Sequence, residues 1–318
     1  MSARNTQGSL SLIMSFFASG AGAWVLFTVP EAAILGGPNA VLGYAISCIL
    51  PLMIFACVGP TLRRLLPHGI TFFEFVQARY GTFVNVYVTM IAAFYMFLYL
   101  AAEFTSVGDC VALLSAPDPT STVSPTLAPI IGTSIVTLLY TTLGGMPVSL
   151  LTDRVQGVGV LAFTVLIMIA AFGFVLFPTY ENVEAANTAA ANWKTVTSYG
   201  IGGTPENSIK IAVVLILAVT SANLMHTGFQ QRIWAAKDNT SVLYGLWGAS
   251  ILTLPFFLVF GLFGMIAYAN LGIPGLVAPN YLAFLGAFFL VQTMYAAAQP
   301  CATPPPLPSA LAPDHARV

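Results

Sequence analysis

Thr220, Ser221, Asn223, His226 and Thr227 fall within about two helical turns of VTSANLMHTGFQQRIWAAKD, and Asn223 and His226, three residues apart, share one helix face. Such side chains can hold a polar solute or an ion; hydroxyls back-bonded to their own helix and an interfacial His226 account for the same pattern. A second group, FFASGAGAWVLFTVP, sets Ser19, Gly20 and Gly22 close together with Pro30 further along. Each glycine costs about 1 kcal/mol of helix propensity relative to alanine, so this density favours an unwound or kinked helix. The carbonyls and amides freed by a break can hold an ion or a polar solute near the bilayer midplane. Close packing of helices through small residues is the alternative reading of the same glycines. Glu103 and Asp109 lie at the end of another apolar stretch, where a rim position explains them as well as a pathway does.

Little else in the chain offers chemistry. The three histidines are His68, His226 and His315, and GxSxG, HExxH and P-loop patterns are absent, so an enzyme is not expected and no cofactor is implied. Cys48, Cys57, Cys110 and Cys301 lack CxxC or Cys/His spacing, which indicates neither a disulfide framework nor a zinc site. A net charge of −1 leaves no basic footprint for nucleic acid.

The elements that must position the two polar groups are membrane helices. Of 318 residues, 58% are hydrophobic and only 7% charged, against a charged fraction of about 25% in soluble domains. Uninterrupted apolar runs such as 158–178 reach the roughly 20 residues that cross a hydrocarbon core, and they lack the alternation of outer-membrane strands. Charged and Pro/Gly-rich breaks delimit eight expected spans: 10–34, 40–61, 83–108, 127–143, 156–178, 209–228, 244–270 and 279–299. With the N-terminus in the cytoplasm, Arg4, Arg63, Arg64, Arg79, Arg154, Arg232 and Lys237 fall on the inner side and only Lys194 and Lys210 on the outer, as the excess of Lys and Arg in cytoplasmic loops requires. Asp118, Glu181, Glu184 and Glu206 lie on the outer side, in keeping with this arrangement. The first stretch imitates a secretory signal, with Arg4, an apolar run and Ala21-Gly22-Ala23. Its hydrophobicity continues through Trp24 to Ile34, however, which is long enough to span.

After Gln299 the composition changes: residues 300–318 hold six of the chain's 21 prolines. A proline run cannot continue a helix. The segment reads either as a disordered cytoplasmic tail or as sequence that is out of frame, leaving 1–299 as the membrane domain.

Residues 140–156, YTTLGGMPVSLLTDRVQ, resemble the sodium:solute symporter family, whose members carry Tyr-Thr-x-Leu-Gly-Gly, six residues, then Thr-Asp-x-x-Gln. Here these are Tyr140, Thr141, Leu143, Gly144, Gly145, Thr152, Asp153 and Gln156. SLSLIMSFFASGAGAWVLFTVPEAA is similar to the family's broken first core helix, and ANLMHTGFQQRIWAAKD to its sixth core helix with the cytoplasmic Gln-Arg-x-x-x-Ala-Lys exit. With the loop GPTLRRLLPHGITFFEFVQARYG, the resemblance runs from about residue 6 to 270, nearest to proline-type and fungal urea-type members.

The resemblance implies an all-α polytopic bundle with a partial inverted-repeat fold of leucine-transporter type, about core helices one to eight. It implies symport of a small polar organic solute, such as an amino acid or urea, with sodium as the co-transported ion, in a plasma membrane. Carried over by motif, Ala18 and Ala21 offer backbone carbonyls to sodium and Asp153 lies on its release path. Ser19, Gly20, Gly22, Trp24 and Asn223 face substrate, with His226 at the inner gate. Gly20 and Gly22 stand where proline-type members have an acidic residue and a hydroxyl, and His226 replaces an aromatic ring. Family members have thirteen or more helices, and the paired hydroxyls of core helix eight are not recognisable in FLGAFFLVQTMYAAAQPC. A non-transporting membrane paralogue, acting as a sensor or partner subunit, is therefore the rival expectation; a channel is a third, without a visible filter motif.

Overall fold

A helix of 50 residues would run about 75 Å at 1.5 Å per residue, more than twice a hydrocarbon core of about 30 Å, so long apolar stretches must bend back. A computed structural model describes residues 3–69, 71–115, 126–176 and 183–277. It contains α1 (Ser9–Gly20), α2 (Val25–Leu65), α3 (Phe72–Ser115), α4 (Leu127–Leu176), α5 (Val183–Ser198), α6 (Pro205–Leu224), α7 (Thr227–Ala235) and α8 (Asn239–Val277). Three of the long helices are interrupted by one glycine each in the left-handed region, Gly37 (φ 64°) in α2, Gly81 (φ 82°) in α3 and Gly145 (φ 59°) in α4. Any other residue there would cost about 1–2 kcal/mol.

Divided at these glycines, the helices lie on the expected spans. Segment α1 and the part of α2 before Gly37 cover 10–34, and the rest of α2 covers 40–61. Beyond Gly81, α3 covers 83–108; the two parts of α4 cover 127–143 and, of the span expected at 156–178, residues 156–176, and α8 covers 244–270. The expected span 279–299 and the segment 300–318 lie outside the described residues. Five helices, α2, α3, α4, α6 and α8, are long and apolar enough to cross a membrane. The protein is a polytopic helical membrane bundle, and among the described residues β-structure is limited to an isolated Gln7–Ala236 bridge.

Two elements differ from expectation. The span expected at 209–228 stops at Leu224 and restarts at Thr227, because His226 adopts an extended conformation (ψ 100°) and caps α7. Helix α5 occupies what reads as a loop. It is rich in Ala, Asn and Thr, too short and polar to resemble a span, and Thr188, Thr195, Thr197 and Ser198 bond back to carbonyls four residues earlier. Its buried Val196 packs with Ala33, Ile34, Val41 and Tyr268.

The centre is built from α1, α2, α7 and α8 around Phe16, Phe17, Phe229, Phe256, Phe257 and Phe260. By contrast α3, α4 and α6 carry bulky apolar side chains outward, with Phe83 86% and Leu143 82% exposed. Apolar area costs about 25 cal/mol per Å² in water, and lipid removes that cost.

Loops gather in two groups. In one, Arg4 donates to the His68 and Gly69 carbonyls (both 2.5 Å), Arg63 to Asn5 Oδ1 (2.8 Å) and the Asp238 carbonyl (3.1 Å), and Arg154 to Gln7 Oε1. Asp238 lies here too, and the Ser241 N–H donated to its carboxylate holds it below the usual carboxylate range. In the other, the Ile201 N–H donates to the Ile34 carbonyl (2.8 Å), Asn39 to Ser208 (3.0 Å) and Asn192 to the Ala269 carbonyl (3.4 Å). The segments expected on one side of the membrane therefore meet one another.

Candidate functional site

The first break follows from its residue sizes. Helix α1 ends at Gly20 and Ala21 turns out of it (φ −101°, ψ 70°), its N–H donating back to the Phe17 (3.0 Å) and Ala18 (3.3 Å) carbonyls. The chain is helical again from Val25. A helix start leaves its leading N–H groups without intrahelical partners. One of them, Ala23, donates to Glu103 Oε2 at 2.8 Å, from α3. A Cβ on Gly22 would overlap the Glu103 carboxylate, whereas one on Gly20 would only touch the Phe229 ring at 3.5 Å. Gly22 is therefore the residue that admits the carboxylate.

Helix α3 binds both breaks with one face. Tyr95, Tyr99 and Glu103 recur every four residues, so they stand above one another. The Tyr99 hydroxyl donates to the Ser19 carbonyl (3.1 Å) and receives the Trp24 indole N–H (3.2 Å). The Tyr95 hydroxyl donates to Asn223 Oδ1 at 2.9 Å, at the end of α6. His226 is buried in the second break, its Nδ1 accepting the Phe229 N–H (3.3 Å); its ring stacks on Phe229 with centroids 4.5 Å apart and meets the Tyr99 ring edge-on at 5.0 Å. Trp24 leans against Tyr44 and Phe257, each with ring centroids 6.0 Å away.

Of the expected sodium donors, Ala18 already accepts the Ala21 N–H, which leaves a carbonyl lone pair. The Ala21 carbonyl accepts no backbone N–H among the described residues. Asp153 stands apart from these carbonyls in its bonding. Ser15, one turn before Ser19 on α1, donates its hydroxyl to Asp153 Oδ2 (2.6 Å), and Arg232 of α7 donates to the same oxygen (2.6 Å) and to Ser15 Oγ (2.7 Å). The Asp153 and Arg232 side chains are only 11% and 7% exposed. Their attraction in such surroundings is offset by desolvation, so the pair locks α1, α4 and α7 together more than it adds net stability.

Ser19, Glu103 and Tyr99 share with His226 a cavity of about 580 Å³ that runs on to Ser149, Gln231 and Arg232. The expected residues Ser19, Gly20, Gly22, Trp24, Asn223 and His226 thus come together around α3, with Asp153 below them. Sequence reasoning missed Tyr95 and Tyr99 and left Glu103 open between a rim and a pathway position; the four-residue spacing of the three was the signal that could have found them.

The sequence profile described as the sodium:solute symporter family matches residues 2–294. The chain is also similar to the spermidine transporter of Candida albicans, with 26% identity over 267 residues, which is 84% of this chain and 47% of that protein. The chain thus spans about half the length of this curated relative.

Proposed function

The chain belongs to the sodium:solute symporter family, and we propose that it takes part in sodium-coupled symport of a small, polar, nitrogen-containing solute across the plasma membrane, with its N-terminus in the cytoplasm. One observation carries the reading: two helix breaks, at Ala21–Trp24 and at Met225–His226, are both held by the Tyr95–Tyr99–Glu103 stripe of α3, beside a cavity lined by Ser19, Tyr99, Glu103 and His226. Irregular backbone at membrane depth is tolerated where it is buried in protein or lines a cavity, and half-helix ends there bind ions and polar groups. The relative's spermidine supports a nitrogenous solute.

In this mechanism sodium uses the Ala18 and Ala21 carbonyls, and its binding stabilises the arrangement that substrate enters from outside. A ligand shifts such an equilibrium only by its differential affinity for the two states. Ser19, Trp24, Asn223 and His226 orient the solute, while release toward the cytoplasm requires Arg232 to part from Asp153 and Ser15. Core helix eight, expected at 279–299, lies outside the described residues. The test is uptake of labelled spermidine, proline and urea by cells expressing the chain, in sodium and in choline medium. Sodium-dependent accumulation of one of them supports the proposal. Solute binding to purified protein without accumulation favours the sensor alternative.

A further inference from the structure

A carboxylate at membrane depth is expensive unless it has a partner, and residues of this kind mark substrate or ion pathways by default. Glu103 accepts the Ala23 N–H, with the Trp24 N–H and Tyr99 hydroxyl beside it, yet among the described residues it has no cationic partner. The other charged group lining the same cavity, Arg232, is already neutralised by Asp153. A buried His226 whose Nδ1 accepts a backbone N–H adds no positive charge in this arrangement. Among the residues lining this cavity, Glu103 is therefore the acidic group without a cationic partner, placed at the helix break beside the Tyr99 and Phe97 rings. Aromatic faces beside a carboxylate suit an organic cation, which gains both the ion pair and the attraction of the ring quadrupole.

We propose that Glu103 is the recognition carboxylate for a primary or secondary ammonium group, so that the solute held at the first break is a small organic cation. The inference rests on the transporter reading and narrows its substrate class. A neutral amide such as urea brings no cation to Glu103, and a zwitterion brings its own carboxylate toward it. Glu103 thus discriminates among nitrogenous solutes by the charge that they bring.

A purely structural Glu103, needed only to accept the Ala23 N–H, makes a different forecast, because glutamine keeps an acceptor oxygen at the same reach. The full 318-residue chain is reconstituted in lipid nanodiscs, and binding of labelled spermidine, urea and proline is measured across a sodium titration for the wild type, Glu103→Gln and Glu103→Asp. The expected result is that Glu103→Gln weakens spermidine binding by about tenfold or more, the loss of a charge-assisted hydrogen bond, while Glu103→Asp retains most of it. Spermidine binding by Glu103→Gln within about threefold of wild type overturns the proposal. So does a Glu103→Gln effect confined to the sodium concentration needed, which assigns the carboxylate to the coupling ion. Wild-type binding of urea or proline without binding of spermidine overturns the proposal but leaves the transporter reading standing; binding of none of the three removes both.

Discussion

Gly20 and Gly22 sit two residues apart in one break, and their surroundings give them opposite tolerances. A methyl group at Gly22 must displace the Glu103 carboxylate, whereas at Gly20 it meets only the Phe229 ring edge. Overpacking costs typically about 1–3 kcal/mol, so Gly22→Ala is expected to lower solute binding steeply and Gly20→Ala to leave it close to wild type, with both proteins at comparable surface abundance. Binding and surface labelling measured together check this; equal effects at the two positions would return both glycines to helix packing. The buried pair yields a second expectation. Asp153→Asn strands the Arg232 guanidinium and should cost about 3–5 kcal/mol, and adding Arg232→Gln should return part of it. Thermal unfolding in detergent is the readout, and a double variant no more stable than Asp153→Asn contradicts the lock. Glycine density announced the first break in the sequence. Glu103 stayed open between rim and pathway because its partner lies 80 residues away, although its four-residue spacing from Tyr99 and Tyr95 marks a shared face.

Among the elements, the turns made by left-handed glycines carry the fold's economy of length. Gly145 joins the two parts of α4 at φ 59° within the motif that carries the resemblance. Gly145→Ala is expected to cost about 1–2 kcal/mol of stability through backbone strain, with a matching loss of folded protein on size-exclusion chromatography. Gly132→Ala in the same helix meets open space and no positive φ, and should cost nothing measurable or stabilise slightly. Equal behaviour of the two would show that Gly145 is not strained. The spans were legible because apolar runs of the right length are a strong signal. Helix α5 was not, since its Ala, Thr and Asn content reads as loop until Val196 finds Ala33 and Ile34 across the bundle. The division of the sixth segment was equally hidden, because nothing in TSANLMHT forbids a continuous helix; the His226 cap decides it.

At the scale of the whole molecule, the two loop groups are expected on opposite faces of the membrane. In a cysteine-free background, Ser198→Cys should react with an impermeant thiol reagent added outside sealed cells and Lys237→Cys should be protected, both positions being exposed. The reverse pattern inverts the orientation. Lys and Arg counts alone set the sidedness that this labelling tests, whereas the union of the two breaks by α3 required three dimensions. That union is the central claim, and its most direct test is solute accumulation by the 318-residue chain in sealed proteoliposomes with an inward sodium gradient, beside the same vesicles in choline. The account expects one nitrogenous solute to accumulate above its equilibrium level in sodium, to lose that accumulation in choline, and to lose it in sodium when Gly22 is replaced by alanine. Accumulation that is identical in the two media, or that survives Gly22→Ala unchanged, would contradict it.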